Sequence, residues 1–537
     1  MSSNSSTDAT VRQKLPDSVV SRIIGELRGE KASLASCTLV AHDWLPRSAE
    51  LLFRVVTPQF NPTKIRAFLD FLGSRSHLGF KHSYVKEVII GSCGHHRCRT
   101  WSCVHDGEKR VDAQTVLRIL HGLPVLEVFK LYNASLVPAN GGERSYEGVD
   151  FDAWIPRPLV QLSLDRLAFP LEPYTGRTDH KPKYTMPREF SRLVSLFSSV
   201  DTAHIEINPE ADVDTEALDP DDETGPPPPT VTPPDDIGDL SALPSLVNFQ
   251  AGELTLKAGS LVSRLFLKSG VPHTLTALTC GPHDKATAEV IQKIIDSAHS
   301  LTRLDFVLYH IIGADETGQP VPSYNLRKSP QLHSISFEAR IGPDHDADMF
   351  AEWYLRPWID TLRTAAGSLG GGGLGSLRTV RFAPYIPELQ VEDEAGLPED
   401  DVMDVLVPRV FTTPGYAENR SIWADLDKTL ATIPTLRNVH FVLTYQQVDE
   451  SDDSSTGDSH TTDSSRVAKT DEDGEEPEVV PPEDEAEELS DSGSEHSTTS
   501  EEDVYLWEYV WKGLRTKLPL TDEALGSGLS FTTCPHA

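Results

Sequence analysis

The chain has 537 residues, 38% of them hydrophobic, and a formal net charge of −34 at pH 7. The length exceeds one compact domain, and the acidity is local: residues 449–503 carry −20, residues 206–240 carry −12, and −2 is left for everything else. A near-neutral body lacks the clustered Lys and Arg of a nucleic-acid binder, six uneven cysteines make no disulfide framework, and no apolar run approaches the ~20 residues of a membrane span.

Residues 1–13 are polar, Ser/Thr-rich and expected to be disordered, without a basic or apolar targeting segment, so the expected setting is the cytosol or nucleus. Residues 14–57 then predict three short helices. The first runs from about Pro16 to Leu27. Pro16 sits where its missing N–H is harmless, Asp17 faces the positive helix end, and Gly29 is the stop. Val19, Ile23 and Leu27 make one apolar row, with Val20 and Ile24 in the row beside it. A second helix holds Leu34, Cys37, Leu39 and Val40. Asp43 is placed to cap a third, which carries Trp44, Ala49, Leu52, Phe53 and Val56, with Pro46 in its first turn.

Residues 58–445 repeat a short apolar motif: an aliphatic residue, two variable, an aliphatic, one variable, then an aliphatic residue or Phe. It occurs at Val85–Ile90, Leu123–Val128, Leu159–Leu164, Leu301–Phe306, Leu332–Phe337, Leu377–Phe382 and Leu436–Phe441. Weaker copies lie at Val200–Ile205, Leu243–Phe249 and Leu275–Cys280. The last two apolar positions alternate as on a strand, and the first turns the chain inward. Helical stretches at Ala113–His121, Thr287–Ser300, Asp346–Ala366 and Ile422–Ala431 separate several copies. The fold class is therefore α/β, a short helical module followed by an irregular leucine-rich-repeat-like βα solenoid.

Two stretches lack apolar periodicity and are expected to be disordered: an insertion at about 208–240 containing Pro226–Pro229, and the acidic Ser/Thr-rich tract 446–503. Within 504–537, the amphipathic stretch Val504–Leu514 carries Tyr505, Trp507, Tyr509 and Trp511, aromatics suited to packing back on the folded body or, alternatively, to a partner-binding helix.

Cys93, His95, His96, Cys98, Cys103 and His105 fall within thirteen residues, but their spacing lacks the Cys-x₂-Cys knuckle of common zinc modules. They are read as a connecting loop, and no metal or cofactor is expected. The chain has no phosphate-binding loop, His-Glu-x-x-His or Gly-x-Ser-x-Gly, and Gly370–Gly373 have no Lys after them, so no catalytic residue is assigned.

Leu15-Pro16-Asp17, Ile23-Ile24, Leu27, Leu34, Cys37, Leu39-Val40 and Trp44 resemble the F-box pattern in order and spacing. The following Leu51–Val56 looks like the ending common in F-box-like proteins of mushroom-type fungi, which often continue into degenerate leucine-rich repeats. Ala41 departs from the pattern, where Cys is common. The resemblance covers about forty residues and implies an adaptor, not an enzyme. Its F-box would bind a Skp-type adaptor, and through it a cullin–RING ligase, with Leu15, Pro16, Val20, Ile23, Ile24, Leu27, Leu34, Cys37, Leu39, Val40 and Trp44 as partner-binding residues. The repeats would hold a protein substrate, with neither nucleic acid nor membrane as partner. The alternative is a non-degradative F-box scaffold for protein–protein interaction.

Overall fold

The computed structural model describes residues 15–40, 42–58, 62–73, 83–91, 110–137, 153–167, 186–207, 247–282, 285–308, 322–341, 347–366, 376–386, 417–446 and 511–536. The first three helices are α1 (Asp17–Glu26), α2 (Lys31–Val40) and α3 (Leu45–Phe53). Val56, expected in the third helix, instead belongs to strand β1 (Val55–Val56). Two adjacent β-branched residues favour an extended backbone, and there they pair with Glu87 and Val88.

The strands that follow are β2 (Glu87–Ile90), β3 (Arg110–Val111), β4 (Val128–Tyr132), β5 (Ser135–Leu136), β6 (Arg157–Leu167), β7 (Phe197–Ile207) and β8 (Gln250–Lys257). Then come β9 (Ala277–Cys280), β10 (Arg303–Leu308), β11 (Ser334–Arg340), β12 (Thr379–Ile386), β13 (Asn438–Gln446) and β14 (Leu529–His536). Apart from the small β3–β5 pair, they form one sheet of twelve parallel strands whose spatial order is their order in the chain. Parallel neighbours need a crossover between them. Because the order never reverses, each crossover adds a further repeat to the stack, and there is no switch point of the kind at which open α/β sheets hold small ligands.

The motif is the core of this stack. Register places Val88, Phe129, Leu162, Ala203, Leu254, Leu278, Leu304, Ile335, Val380, Val439 and Leu529 in one row across the sheet. Two residues on, a second row ends in a phenylalanine ladder. Phe306, Phe337, Phe382, Phe441 and Phe531 stack with centroid separations of 5.7, 5.7, 4.8 and 5.4 Å. Two copies were framed differently in the sequence. Leu123 and Leu126 belong to the turn after a helix, and Phe129 and Leu131 fill the rows there, three residues later than the Leu123–Val128 frame. The Leu243–Phe249 frame is likewise displaced, since Leu254 and Leu256 of β8 supply that rung.

Helices cover the face on which those rows lie. They are α4 (Pro62–Gly73), α5 (Ala113–Gly122), α6 (Met186–Val194), α7 (Ser260–Leu267), α8 (Val271–Thr274) and α9 (Lys285–Ser297). After β11 come α10 (Ala347–Phe350), a π-helical turn (Ala351–Leu355), α11 (Arg356–Ala366) and α12 (Ala417–Ala431). Asp112 caps α5 by accepting from the Thr115 N–H at 2.6 Å. Between β10 and β11, residues 322–332 take a helix's place. Tyr324 stacks on Phe306 at 4.5 Å, and its N–H donates to Thr361 Oγ1.

Residues 511–517 are helical and lead to α13 (Pro519–Leu525) and β14. Leu514 and Leu518 are buried, and Trp511 packs on Phe531 at 5.4 Å. The buried Asp427 of α12 fixes this end. Its carboxylate accepts from the Leu520 N–H (2.9 Å), the Thr521 N–H (2.8 Å) and the Thr521 hydroxyl (2.7 Å). Among the described residues, no helix is long and apolar enough to cross a membrane.

Candidate functional site

Two surfaces offer chemistry to a partner. The first is the amino-terminal helical module, which has a small core of its own, separate from that of the sheet. Val20, Ile24 and Leu34 are buried together, with Leu27, Trp44, Leu51 and Leu52 packed partly buried around them. Cys37 is buried as well. The remaining residues singled out in the sequence face solvent. Leu15, Val19 and Ile23 form one row on α1 at 47, 42 and 39% exposure, and Leu39 and Val40 close α2 at 87 and 64%. Pro16 is exposed at the start of α1.

The eleven residues thus divide by task. Val20, Ile24, Leu34 and Cys37 hold the helices together, helped by Leu27 and Trp44. Leu15, Pro16, Ile23, Leu39 and Val40, with Val19 beside them, present apolar surface to water. Covering a fully exposed apolar side chain is worth about 1.5–3 kcal/mol and a half-exposed one about half that, so a groove that takes several gains useful affinity.

The second surface is the face of the sheet turned away from the helices, where the alternate residue of each strand points. It is mostly polar and carries ion pairs, across strands at Lys130–Glu87 (2.7 Å) and Arg303–Glu253 (3.4 Å) and within β10 at Arg303–Asp305 (3.3 Å). Burial pushes the Asp305 carboxyl above its usual range, and Arg303 opposes that.

On β6, β7 and β8 the same face gathers Asp165, His204, Glu206 and Lys257. Each side chain is only about a quarter exposed, between 23 and 29%. One ligand atom each from Asp165, His204 and Glu206 lie within 4.8 Å of one another. His204 Nε2 is 3.7 Å from Glu206 Oε2, and Lys257 Nζ is 3.3 Å from the same oxygen. The adjacent His204 imidazole, with Lys257 adding to it against the cost of burial, holds the Glu206 carboxyl down at about 2. Asp165 goes the other way, raised first by burial and then by the Glu206 charge. Its backbone is irregular: the β6–β7 register shifts between Leu164 and Leu167, and Arg166 adopts φ 52°. Such a bulge re-aims side chains at a sheet face.

No protein-family model matches this chain, and no curated protein does. The Cys93–His105 segment, residues 208–240, Gly370–Gly373 and residues 447–510, with Tyr505, Trp507 and Tyr509, lie outside the described residues. Reading the sequence for apolar rows passed over the Asp165, His204 and Glu206 group. The signal was present in the motif frames, since His204 is the variable residue between Ala203 and Ile205, while Asp165 and Glu206 directly follow Leu164 and Ile205.

Proposed function

We propose that this chain is the substrate-recognition adaptor of an SCF-type ubiquitin ligase. Residues 15–56 bind a Skp-type adaptor and, through it, a cullin–RING scaffold, and the solenoid binds a protein substrate. The chain transfers no ubiquitin itself. One observation carries this reading: the residues that resemble the F-box include an apolar row left in solvent, Leu15, Ile23, Leu39 and Val40, on helices that already have a core of their own. A helical cap serving only to shield the first repeat would turn that row inward, against the sheet's core. The long parallel sheet favours a protein partner, because stacked repeats spread side chains over an extended surface and enclose no small molecule.

Affinity purification of the full chain with ligase activity blocked tests the whole reading. The wild type is expected to recover a Skp-type adaptor, a cullin and one or more proteins whose lifetimes lengthen when the chain is deleted. The Leu15→Ala, Ile23→Ala, Val40→Ala triple variant should lose adaptor and cullin and retain the substrate proteins. Recovery of adaptor and cullin by the triple variant at wild-type levels would overturn the F-box assignment. Stable partners whose lifetimes do not change would favour the scaffold instead.

A further inference from the structure

We propose that Asp165, His204 and Glu206 form a site for a divalent transition-metal ion on the open face of the sheet. This inference is independent of adaptor binding. The donor set is one imidazole nitrogen and two carboxylates, a mixture suited to borderline ions such as Zn²⁺ or Co²⁺ and, through its oxygens, to the harder Mn²⁺. Three donors already within 4.8 Å of one another need only small side-chain shifts to meet one ion at about 2.0–2.2 Å. They come from adjacent strands in the middle of a twelve-stranded sheet, a rigid frame for coordination.

Charge separates Asp165 from the ion pairs around it. Glu87, Glu253 and Asp305 each have a Lys or Arg nitrogen within 3.4 Å. Asp165 instead faces a second carboxylate, and its cationic contact is Arg166 Nε at 4.0 Å. The two carboxylates and the imidazole therefore have Lys257, 3.3 Å from Glu206, and Arg166, 4.0 Å from Asp165, as cations beside them. A divalent ion at the centre would neutralise both carboxylates and displace Lys257 from Glu206. Three protein donors leave at least one coordination position, on the solvent side of the sheet, for water or a partner's side chain.

Equilibrium dialysis of the metal-stripped full chain against Zn²⁺, followed by elemental analysis, tests the site. All variants carry Cys93→Ser, Cys98→Ser and Cys103→Ser, so that the Cys/His segment does not supply thiolates. About one tightly held equivalent is expected. His204→Ala and Asp165→Asn should each weaken it by about tenfold or more, and the absorption of bound Co²⁺ should change when His204 is removed. Lys257→Met removes the competing cation and should tighten binding, a gain that a misfolded variant would not produce. Absence of a stoichiometric equivalent would overturn the proposal. So would uptake that is the same with and without His204 and Lys257, since that ion would be held by the acidic tracts.

Discussion

Gly91 ends β2 with φ 96°, and a Cβ built there would stand 1.9 Å from the Tyr132 carbonyl oxygen of β4. Both the backbone and the neighbouring strand therefore demand glycine. Gly91→Ala should cost about 1–3 kcal/mol, read as a lower denaturant midpoint with an unchanged slope. Glu206 gives a pH signature. Its carboxyl sits at about 2 in the folded chain, against 4.5 as a free side chain, so its charge stabilises the fold above the free value and ceases to as pH falls from 4.5 towards 2. Asp165, raised by burial and by Glu206, works in the opposite sense and gains from protonation as the pH falls. The difference in unfolding free energy between wild type and Glu206→Gln should be greatest above about pH 5 and shrink towards pH 2. A difference that is flat across that range would mean the His204 and Lys257 contacts do not stabilise the folded carboxylate.

Elements are held by rows of like residues, and the row that ends at Phe531 is closed by the carboxyl-terminal segment. Trp511 packs on that ring at 5.4 Å, the Arg515 guanidinium lies over it at 5.7 Å, and Asp427 clamps α13. Asp427→Ala strands the buried Thr521 N–H, exposes the part-buried Leu520 N–H and leaves the Thr521 hydroxyl only its longer contact to the backbone carbonyl of residue 427, a local loss on the order of 1–3 kcal/mol. Amide exchange in 529–536 should then accelerate while β6, β7 and β8 stay protected. Equal acceleration everywhere would show that the sheet unfolds as one unit. Most rungs were legible in the sequence, because Leu162–Leu164, Leu304–Phe306 or Val439–Phe441 put two apolar residues two apart after a third. The rung at β8 was hidden because small Ala251 occupies its first position, and the rung at β14 because Gly526 does. The Leu123–Val128 frame failed because a helix C-cap, Leu123, and a turn residue, Leu126, imitate the same spacing. The split of the helical module was illegible for a different reason. Both rows of α1 are equally apolar, and only packing against α2 and α3 decides that Ile24 is buried while Ile23 is exposed.

At the scale of the molecule, the sheet is continuous across long connections. β7 ends at Ile207 and β8 begins at Gln250, yet they pair in register from Ser199↔Gln250 to Glu206↔Lys257. β13 and β14 pair likewise from Val439↔Leu529 to Gln446↔His536. The pairing is fixed by the strands and the core beneath them, and a shorter connection lowers the entropy of closing the loop. Deleting 208–240 should leave one cooperative melt with a midpoint within a few degrees of wild type. Loss of cooperativity would place part of the core in that segment. The proposed adaptor role rests on the other end of the molecule, where a helical module with its own core leads through β1 into the first rung and leaves Leu15, Ile23, Leu39 and Val40 in solvent. Calorimetric titration of the purified full chain with a Skp-type adaptor tests that most directly. Saturable one-to-one binding is expected, weakened at least tenfold (a loss of ~1.4 kcal/mol or more) in the Leu15→Ala, Ile23→Ala, Val40→Ala variant and unaffected by Lys257→Met. No binding by the wild type, or equal binding by the triple variant, would contradict it.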